Sequence, residues 1–114
     1  MKKIKIAFTG VFDIDNFGDH LFPIIFENSL RKRKIDVELF LFSPYESTQG
    51  FGIAKKVYSI REMEKLHKIN NFDAIVVGGG EIIHFYSFKQ KNHEEKYVEY
   101  PIFETWIVPS IIGR

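Results

Sequence analysis

Two short segments of the chain contain residues whose types and spacing suit the binding of a ligand that carries hydroxyl groups. The first reads Asn16-Phe17-Gly18-Asp19 and follows an apolar stretch that ends at Gly10. A glycine lets a ligand approach the backbone closely, and the Asn16 and Asp19 side chains can hydrogen-bond a sugar hydroxyl or cap a helix. Asp19 is therefore a candidate ligand-binding residue, and a plain helix cap is the alternative role.

The second segment reads Gly78-Gly79-Gly80-Glu81-Ile82-Ile83-His84 and follows the most strand-like stretch of the chain, residues 73–77. Three successive glycines remove side chains where the backbone must turn sharply or admit a substrate. The spacing is neither the dinucleotide pattern Gly-x-Gly-x-x-Gly nor a Walker loop, which needs Gly-Lys-Ser/Thr. We predict that Gly78, Gly79, Gly80 and His84 bind substrate. For Glu81 and His84, an ordinary surface position is the alternative.

Strands alternate with helices along most of the chain. Apolar and β-branched runs predict strands at residues 4–10, 37–42, 56–59 and 73–77. Apolar residues at helical spacing predict helices at residues 19–33 and 61–69. The residues expected to face inward from these helices are Phe22, Ile25, Phe26, Leu30, Met63, Leu66 and Ile69. This alternation predicts an α/β fold with a Rossmann-like, doubly wound parallel sheet.

The residues at the helix ends agree with these two helices. Asp19 is the predicted N-cap of the first helix, with Pro23 in its first turn, where a missing amide costs little. Basic residues from Arg31 to Lys34 suit the negative end of the helix dipole. The pair Asn70-Asn71 is predicted to end the second helix.

The last third of the chain is less regular. Residues 87–99 are polar and mixed in charge, which predicts a solvated loop. Residues 101–112 are predicted to form a helix that is apolar on most sides and includes Pro109. Such a helix needs a covering surface, and a sheet of this type usually has further strands. We therefore expect residues 1–114 to form a single, incomplete N-terminal domain.

The parallel arrangement brings the two ligand-binding segments together. Ligands of open parallel sheets bind beyond the carboxyl ends of the strands, where helix N-termini present unpaired amides. The segments at residues 16–20 and 78–84 each follow such a strand end. We expect both to face one cleft.

The composition excludes several classes of function. Sixteen Lys and Arg against fifteen Asp and Glu give a formal charge of +1, so no overall field favours nucleic acid. The chain has no cysteine, which excludes disulfides, thiolate metal sites and cysteine nucleophiles. The four histidines show no i, i+4 pairing, so no metal site is expected. Every apolar run is too short for a membrane span. We expect a cytoplasmic chain, with peripheral attachment to a membrane left open.

Three parts of the sequence resemble the N-terminal portion of the polysaccharide pyruvyl transferase family. The first is Asn16-Phe17-Gly18-Asp19 after a first strand, and the second is Phe72-Asp73-Ala74-Ile75-Val76-Val77-Gly78-Gly79-Gly80. The third is the aromatic helix at residues 100–111, which includes Trp106 and Pro109. Family members often continue the glycine loop with a fourth glycine or a small residue, and Glu81 departs from that pattern.

The resemblance implies a two-domain, glycosyltransferase-B-like transferase of exopolysaccharide biosynthesis. Such an enzyme moves a pyruvyl group from phosphoenolpyruvate onto two hydroxyls of a saccharide acceptor, forms a ketal and releases phosphate. It implies that Asp19 contacts an acceptor hydroxyl and is the candidate catalytic base. Asn16, Gly18 and the three glycines shape the pocket, with His84 as an addition. No further cofactor is implied.

The donor carries a carboxylate and a phosphate, so it requires a cluster of cations. Arg31 and Arg33 lie at the far end of the predicted first helix, and only Arg61 is near the predicted binding edge. The resemblance places the donor-binding cations in a C-terminal domain or partner chain outside these residues. This chain alone is therefore expected to be inactive.

A function without catalysis is the alternative. A stand-alone Rossmann-like module could bind a sugar, a nucleotide or a protein at the same edge. A reading frame that continues into a basic, histidine-containing domain would favour the transferase. A natural stop after Arg114 would favour the module.

Overall fold

The computed structural model describes residues 3–12, 17–47, 56–78, 88–91, 97–102 and 104–113, with only the backbone described at residues 17–20, 88, 90, 91, 97 and 98. The elements are β1 (Ile4–Thr9), α1 (Phe17–Lys32), β2 (Val37–Ser43), β3 (Val57–Ser59), a 3₁₀ turn (Ile60–Glu62), α2 (Met63–Asn70), β4 (Ala74–Val77), β5 (Phe88–Lys91), β6 (Tyr97–Tyr100) and α3 (Glu104–Ile112).

Four strands form one parallel sheet in the order β3-β2-β1-β4. β1 pairs with β2 from Ile4↔Val37 to Thr9↔Phe42, and with β4 from Ile6↔Ala74 to Thr9↔Val77. The prediction of one parallel sheet that contains β1, β2 and β4 is thus confirmed. The chain runs from β1 outward through β2 to β3 and then returns to form β4 on the other side of β1. The direction in which strands are added to the sheet therefore reverses between β1 and β4.

Both faces of the sheet are covered by helices, because strand side chains alternate between faces. On one face, α1 packs Ile24, Phe26 and Leu30 against a cluster that comprises Ile6, Phe8, Phe12, Val37, Leu39, Leu41 and Val57. On the other, α2 and α3 pack Leu66, Val108 and Ile112 against Ala7, Phe42, Ile60, Met63 and Phe72. Each large side chain buried in this way contributes roughly 1.5–3 kcal/mol. The predicted α/β fold with a parallel sheet is confirmed.

Helix α1 differs from its predicted form at its start and on its inner face. It begins at Phe17, so Asp19 is its third residue and is not the N-cap. Pro23 lies in the second turn, and the predicted first-turn position is wrong. Phe22 is 41% exposed and Ile25 60% exposed, contrary to prediction. The apolar run of residues 22–26 allows several inward faces, and packing selects the one that buries Pro23 and turns Phe26 inward.

The C-terminus of α1 forms a Schellman motif. The amide of Lys34 donates to the carbonyl of Arg31 over 2.9 Å, and the amide of Ile35 donates to Leu30 over 3.0 Å. Lys34 has a φ of 60°, in the left-handed region that usually favours glycine. The chain then turns directly into β2.

Helix α2 is preceded by the 3₁₀ turn and ends as predicted. Asn71 has a φ of 55° and donates its amide to the carbonyl of His67 over 2.7 Å. Met63 is buried and Leu66 packs inward, which confirms both predictions. Ile69 is 69% exposed, so its predicted inward position is wrong. It lies one position outside the stripe that Met63 and Leu66 define.

Strand β4 is less buried than its β-branched sequence predicts. Ala74 is exposed and Val77 is 40% exposed. Among the described strands, β4 pairs with β1 alone, so its outer edge borders no strand there. Apolar composition therefore predicted the strand correctly but not its place at the edge of the sheet.

Two strands, β5 and β6, lie where a solvated loop was predicted for residues 87–99. β5 and β6 pair antiparallel from Phe88↔Tyr100 to Lys91↔Tyr97. Tyr100 is 1% exposed and packs with Ile102 and Val11. One buried aromatic residue thus anchors an otherwise polar segment beside the loop after β1.

Helix α3 begins at Glu104, three residues later than predicted, and contains Pro109 as expected. Thr105 is fully buried and donates its hydroxyl to the carbonyl of Ile102 over 2.6 Å. Ile111 is 62% exposed. The helix starts near the carboxyl ends of the strands, beside Arg61, and Gly113 at its end lies beside Ile75 of β4.

Candidate functional site

The candidate site lies at the carboxyl ends of β1 and β4, where the strand order reverses. The amide of Gly10 donates to the carbonyl of Phe42 over 3.0 Å, and the amide of Gly78 donates to the carbonyl of Thr9 over 2.8 Å. Both glycines therefore extend the sheet by one hydrogen bond beyond their strands. In open parallel sheets, the crevice at such a reversal is the usual place for a ligand.

The backbones of these two loops touch, and side chains are excluded between them. A Cβ atom at Gly10 would lie 2.9 Å from the carbonyl oxygen of Gly78 and 2.5 Å from Cζ of Phe12. A Cβ atom at Gly78 would lie 2.2 Å from the ring of Phe8. The glycine at position 78 is thus required by packing against Phe8, whether or not a ligand binds there.

Ser43, the last residue of β2, holds the loop after β1 in place. Its hydroxyl donates to the carbonyl of Gly10 over 2.6 Å and accepts from the amide of Phe12 over 2.8 Å. Ser43 and Phe12 are both fully buried. Each such bond contributes roughly 0.5–1.5 kcal/mol net, and an unmade one costs more because its groups stay desolvated. The loop therefore has one defined path at the crevice.

Of the residues predicted to form the site, the structure brings Gly78 to the end of β1. Gly18 and Asp19 lie in the first turn of α1, the helix that follows β1. Asn16, Gly79, Gly80 and His84 lie outside the described residues, as does Glu81.

A second group of polar residues lies at the carboxyl ends of β2 and β3. Nη2 of Arg61, in the 3₁₀ turn, is 3.2 Å from Oε1 of Glu104, the first residue of α3. The Arg61 side chain is 74% exposed, whereas that of Glu104 is 17% exposed. The hydrogen bond to Glu104 and its negative charge raise the pKa of Arg61, so the guanidinium stays charged. Arg61 thus lies at the carboxyl edge of the sheet, as the sequence predicts.

The second oxygen of the Glu104 carboxylate, Oε2, accepts no hydrogen bond from any described residue. This atom is also buried. A buried polar atom left in this state costs roughly 1–3 kcal/mol, and such atoms are rare in folded proteins. An unpaired carboxylate oxygen is an acceptor site for a hydroxyl, an amide or water.

Tyr45 completes this second group from the end of β2. Its hydroxyl donates to the carbonyl of Glu99, and its ring centroid lies 6.2 Å from that of Tyr100. Tyr45 is 41% exposed. The sequence patterns did not indicate Ser43, Tyr45 or Glu104 as site residues. The available signal for Ser43 and Tyr45 was their position just after the apolar run at residues 37–42.

The other arginines of the described chain lie away from this edge, as predicted. Arg31 forms an ion pair with Glu27 at 3.4 Å, and Arg33 donates to the hydroxyl of Ser29 over 2.8 Å. All four residues lie near the C-terminus of α1, which points to the opposite edge of the sheet.

A groove of about 380 Å³ runs along the outer edge of β4, between that strand and α3. Its lining includes His67, Asp73, Ile75 and Ser110. The Nδ1 atom of His67 accepts the amide of Phe72 over 3.1 Å, which leaves the proton of a neutral ring on Nε2. Gly78, which the structure describes among the residues predicted to bind substrate, does not line this groove.

The described residues contain no group of three or more His, Asp or Glu side chains that could hold a metal ion. No described helix is both long and apolar enough to cross a membrane.

Comparisons of the chain with protein-family models, characterised proteins and solved structures give no match. The resemblance to the pyruvyl transferases therefore stays a prediction from the motifs themselves.

Proposed function

We propose that this chain is the N-terminal portion of a polysaccharide pyruvyl transferase and that its sheet edge binds the saccharide acceptor. The observation that supports the proposal is the backbone contact between Gly10 and Gly78 at the reversal of strand order. The Asn-Phe-Gly-Asp and triple-glycine motifs begin within a few residues of that contact along the chain.

The strand order supports a Rossmann-like domain of the kind found in two-domain transferases. The order β3-β2-β1-β4 equals the first four strands of the doubly wound order 3-2-1-4-5-6. The outer edge of β4 is where the next strand of that order would lie. A complete domain, on this proposal, has at least one further parallel strand beside β4.

On this proposal, different residues of the chain deprotonate the acceptor and shape its pocket. Asp19, in the first turn of α1, accepts the proton of an acceptor hydroxyl as the hydroxyl oxygen bonds to the central carbon of phosphoenolpyruvate. The methylene carbon of the donor takes a proton from a general acid outside these residues, and a second acceptor hydroxyl then displaces phosphate and closes the ketal. Asn16, Gly18 and the glycines at 78–80 shape the pocket, and His84 adds a hydrogen bond to the sugar. Ser43 supports this pocket by holding the Gly10 carbonyl.

Phosphoenolpyruvate would be held by groups outside these residues. Its carboxylate and phosphate need several cations, and Arg61 is already paired with Glu104. The proposal therefore assigns donor binding to a C-terminal domain or partner chain. It includes a cytoplasmic location, which suits a chain without cysteine.

The proposal is tested by titrating the ¹⁵N-labelled chain with methyl β-D-galactopyranoside and methyl α-D-mannopyranoside. We expect the amide signals of Gly10, Gly18, Asp19 and Gly78 to shift with at least one glycoside. If uridine or adenosine monophosphate shifts these signals and neither glycoside does, the alternative hypothesis is correct and the chain is a nucleotide-binding module. If a protein partner alone shifts them, the saccharide proposal is equally wrong.

A further inference from the structure

We infer that Tyr45, Arg61 and Glu104 form a second saccharide-binding subsite at the same edge of the sheet. The inference rests on the proposed function, since it concerns the same acceptor. It adds Tyr45 and Glu104, which neither the sequence motifs nor the resemblance indicates, to Arg61, which the sequence places near the binding edge. Four segments meet there: the ends of β2 and β3, the end of β6 and the start of α3.

The charges of this group favour a neutral ligand that has hydroxyl groups. The Arg61 guanidinium has five N–H donors, of which the structure directs one to Glu104. The carboxylate has a buried oxygen, Oε2, that accepts no hydrogen bond from the described residues. A sugar hydroxyl both donates and accepts, so one hydroxyl or an adjacent pair can bind both side chains together. An anion would meet the Glu104 carboxylate, and a cation would meet Arg61.

The ring of Tyr45 supplies the apolar surface that such a site needs. Ligand sites combine aromatic side chains with a few fixed polar groups. The C–H face of a pyranose ring is apolar, and Tyr45, 41% exposed, presents part of an aromatic ring beside the polar pair. Ser43 and Ser59 are register partners at the ends of β2 and β3, and the Ser59 hydroxyl donates to the carbonyl of Pro44 over 3.4 Å. Tyr45 and Arg61, each two residues further along, therefore follow two adjacent strand ends.

The group is held in position before any ligand arrives. The Tyr45 hydroxyl is bound to the carbonyl of Glu99, and the Tyr45 ring contacts the buried Tyr100. The amide of Arg61 donates to the hydroxyl of Ser59 over 3.3 Å, and Glu104 is fixed by its place in α3. Such preorganisation lowers the entropy lost on binding.

The test uses the same glycoside titrations, with the Nε–H signal of Arg61 and the Tyr45 amide as reporters. Arg61→Ala is expected to weaken glycoside binding roughly tenfold or more, as for a lost hydrogen bond to a charged group. Glu104→Gln should weaken it similarly. Tyr45→Phe should bind nearly as the natural chain does, whereas Tyr45→Leu should not. Arg33→Ala, a change of another exposed arginine, is the matched control and should have no effect.

The outcomes separate this inference from the proposed function. If glycosides shift Gly10 and Gly78 while Arg61→Ala binds them normally, the subsite is wrong and the acceptor site stands. If no glycoside shifts any signal, both are wrong. If inorganic phosphate shifts the Arg61 signal at lower concentration than the glycosides do, the group is an anion site and the inference fails. Because Arg61 is exposed, Arg61→Ala should fold normally, and thermal unfolding checks this.

Discussion

The Ser43 hydroxyl donates to the Gly10 carbonyl over 2.6 Å and so joins the end of β2 to the loop that follows β1. The same hydroxyl accepts the amide of Phe12. One buried side chain thereby satisfies two backbone groups that the sheet leaves unpaired. This arrangement sets the path of the backbone where β1 and β4 meet.

Replacing Ser43 by Ala is expected to destabilise the fold by roughly 1–3 kcal/mol, because the Gly10 carbonyl and Phe12 amide would stay buried without partners. Urea denaturation measures the loss. Ser29→Ala, which removes only the exposed bond to Arg33, is the control and should change stability by less than about 0.5 kcal/mol. Equal effects from the two variants would mean that water replaces the Ser43 hydroxyl.

Gly78→Ala should destabilise the chain by roughly 1–3 kcal/mol through overpacking, since the new Cβ would lie 2.2 Å from the Phe8 ring. The double variant with Phe8→Leu should lose less stability than the sum of the two single variants, because the smaller side chain makes room for the methyl group. Thermal or urea unfolding of the four chains gives the coupling energy. Strict additivity would show that the glycine is needed for backbone conformation instead.

Lys34→Gly should stabilise the chain by about 1 kcal/mol, because Lys34 holds a left-handed conformation at the end of α1. Part of this gain is lost to the greater entropy of glycine in the unfolded chain. Lys32→Gly, at the last residue of α1, where the backbone is still helical, is the opposite control and should destabilise the chain. A loss of stability in Lys34→Gly would contradict the Schellman geometry.

Asp19→Asn should affect folding little, since a single carboxylate in a first helical turn contributes about 0.3–1 kcal/mol. Acceptor-dependent pyruvyl transfer by an enzyme that contains both proposed domains should fall far more, because the amide cannot accept a proton. Transfer and thermal unfolding are measured on the same preparation. Near-normal transfer by a stably folded variant would show that Asp19 has only a structural role in the first turn of α1.

The chain by itself should release no phosphate from phosphoenolpyruvate in the presence of a methyl glycoside. The reason is electrostatic: Arg61 is paired with Glu104, and Arg31 and Arg33 lie at the opposite edge of the sheet. The measurement is the phosphate that the purified chain releases from phosphoenolpyruvate with and without glycoside. Acceptor-dependent release by the purified chain would show that the donor site is within these residues.

The sequence by itself determined the order and type of most elements. The apolar runs of β1, β2 and β4 and the alternation of strands with α1 and α2 were sufficient to predict a parallel sheet. These signals are local, because a strand or helix shows its periodicity within a single turn or run of residues. The left-handed Asn71 at the end of α2 is a signal of the same kind.

Tertiary structure decided the faces, the edges and the polar contacts. It turned Ile25 and Ile69 outward, paired β5 with β6, and left Val77 at an exposed edge. It also joined Ser43 to Gly10 and Arg61 to Glu104, pairs that are 33 and 43 residues apart in the chain. The energy of such contacts depends on which surfaces the packed sheet and helices bring together, and on which groups they desolvate. These contacts could not be predicted from the sequence, because the local spacing around one residue of a pair does not indicate which distant residue it will contact.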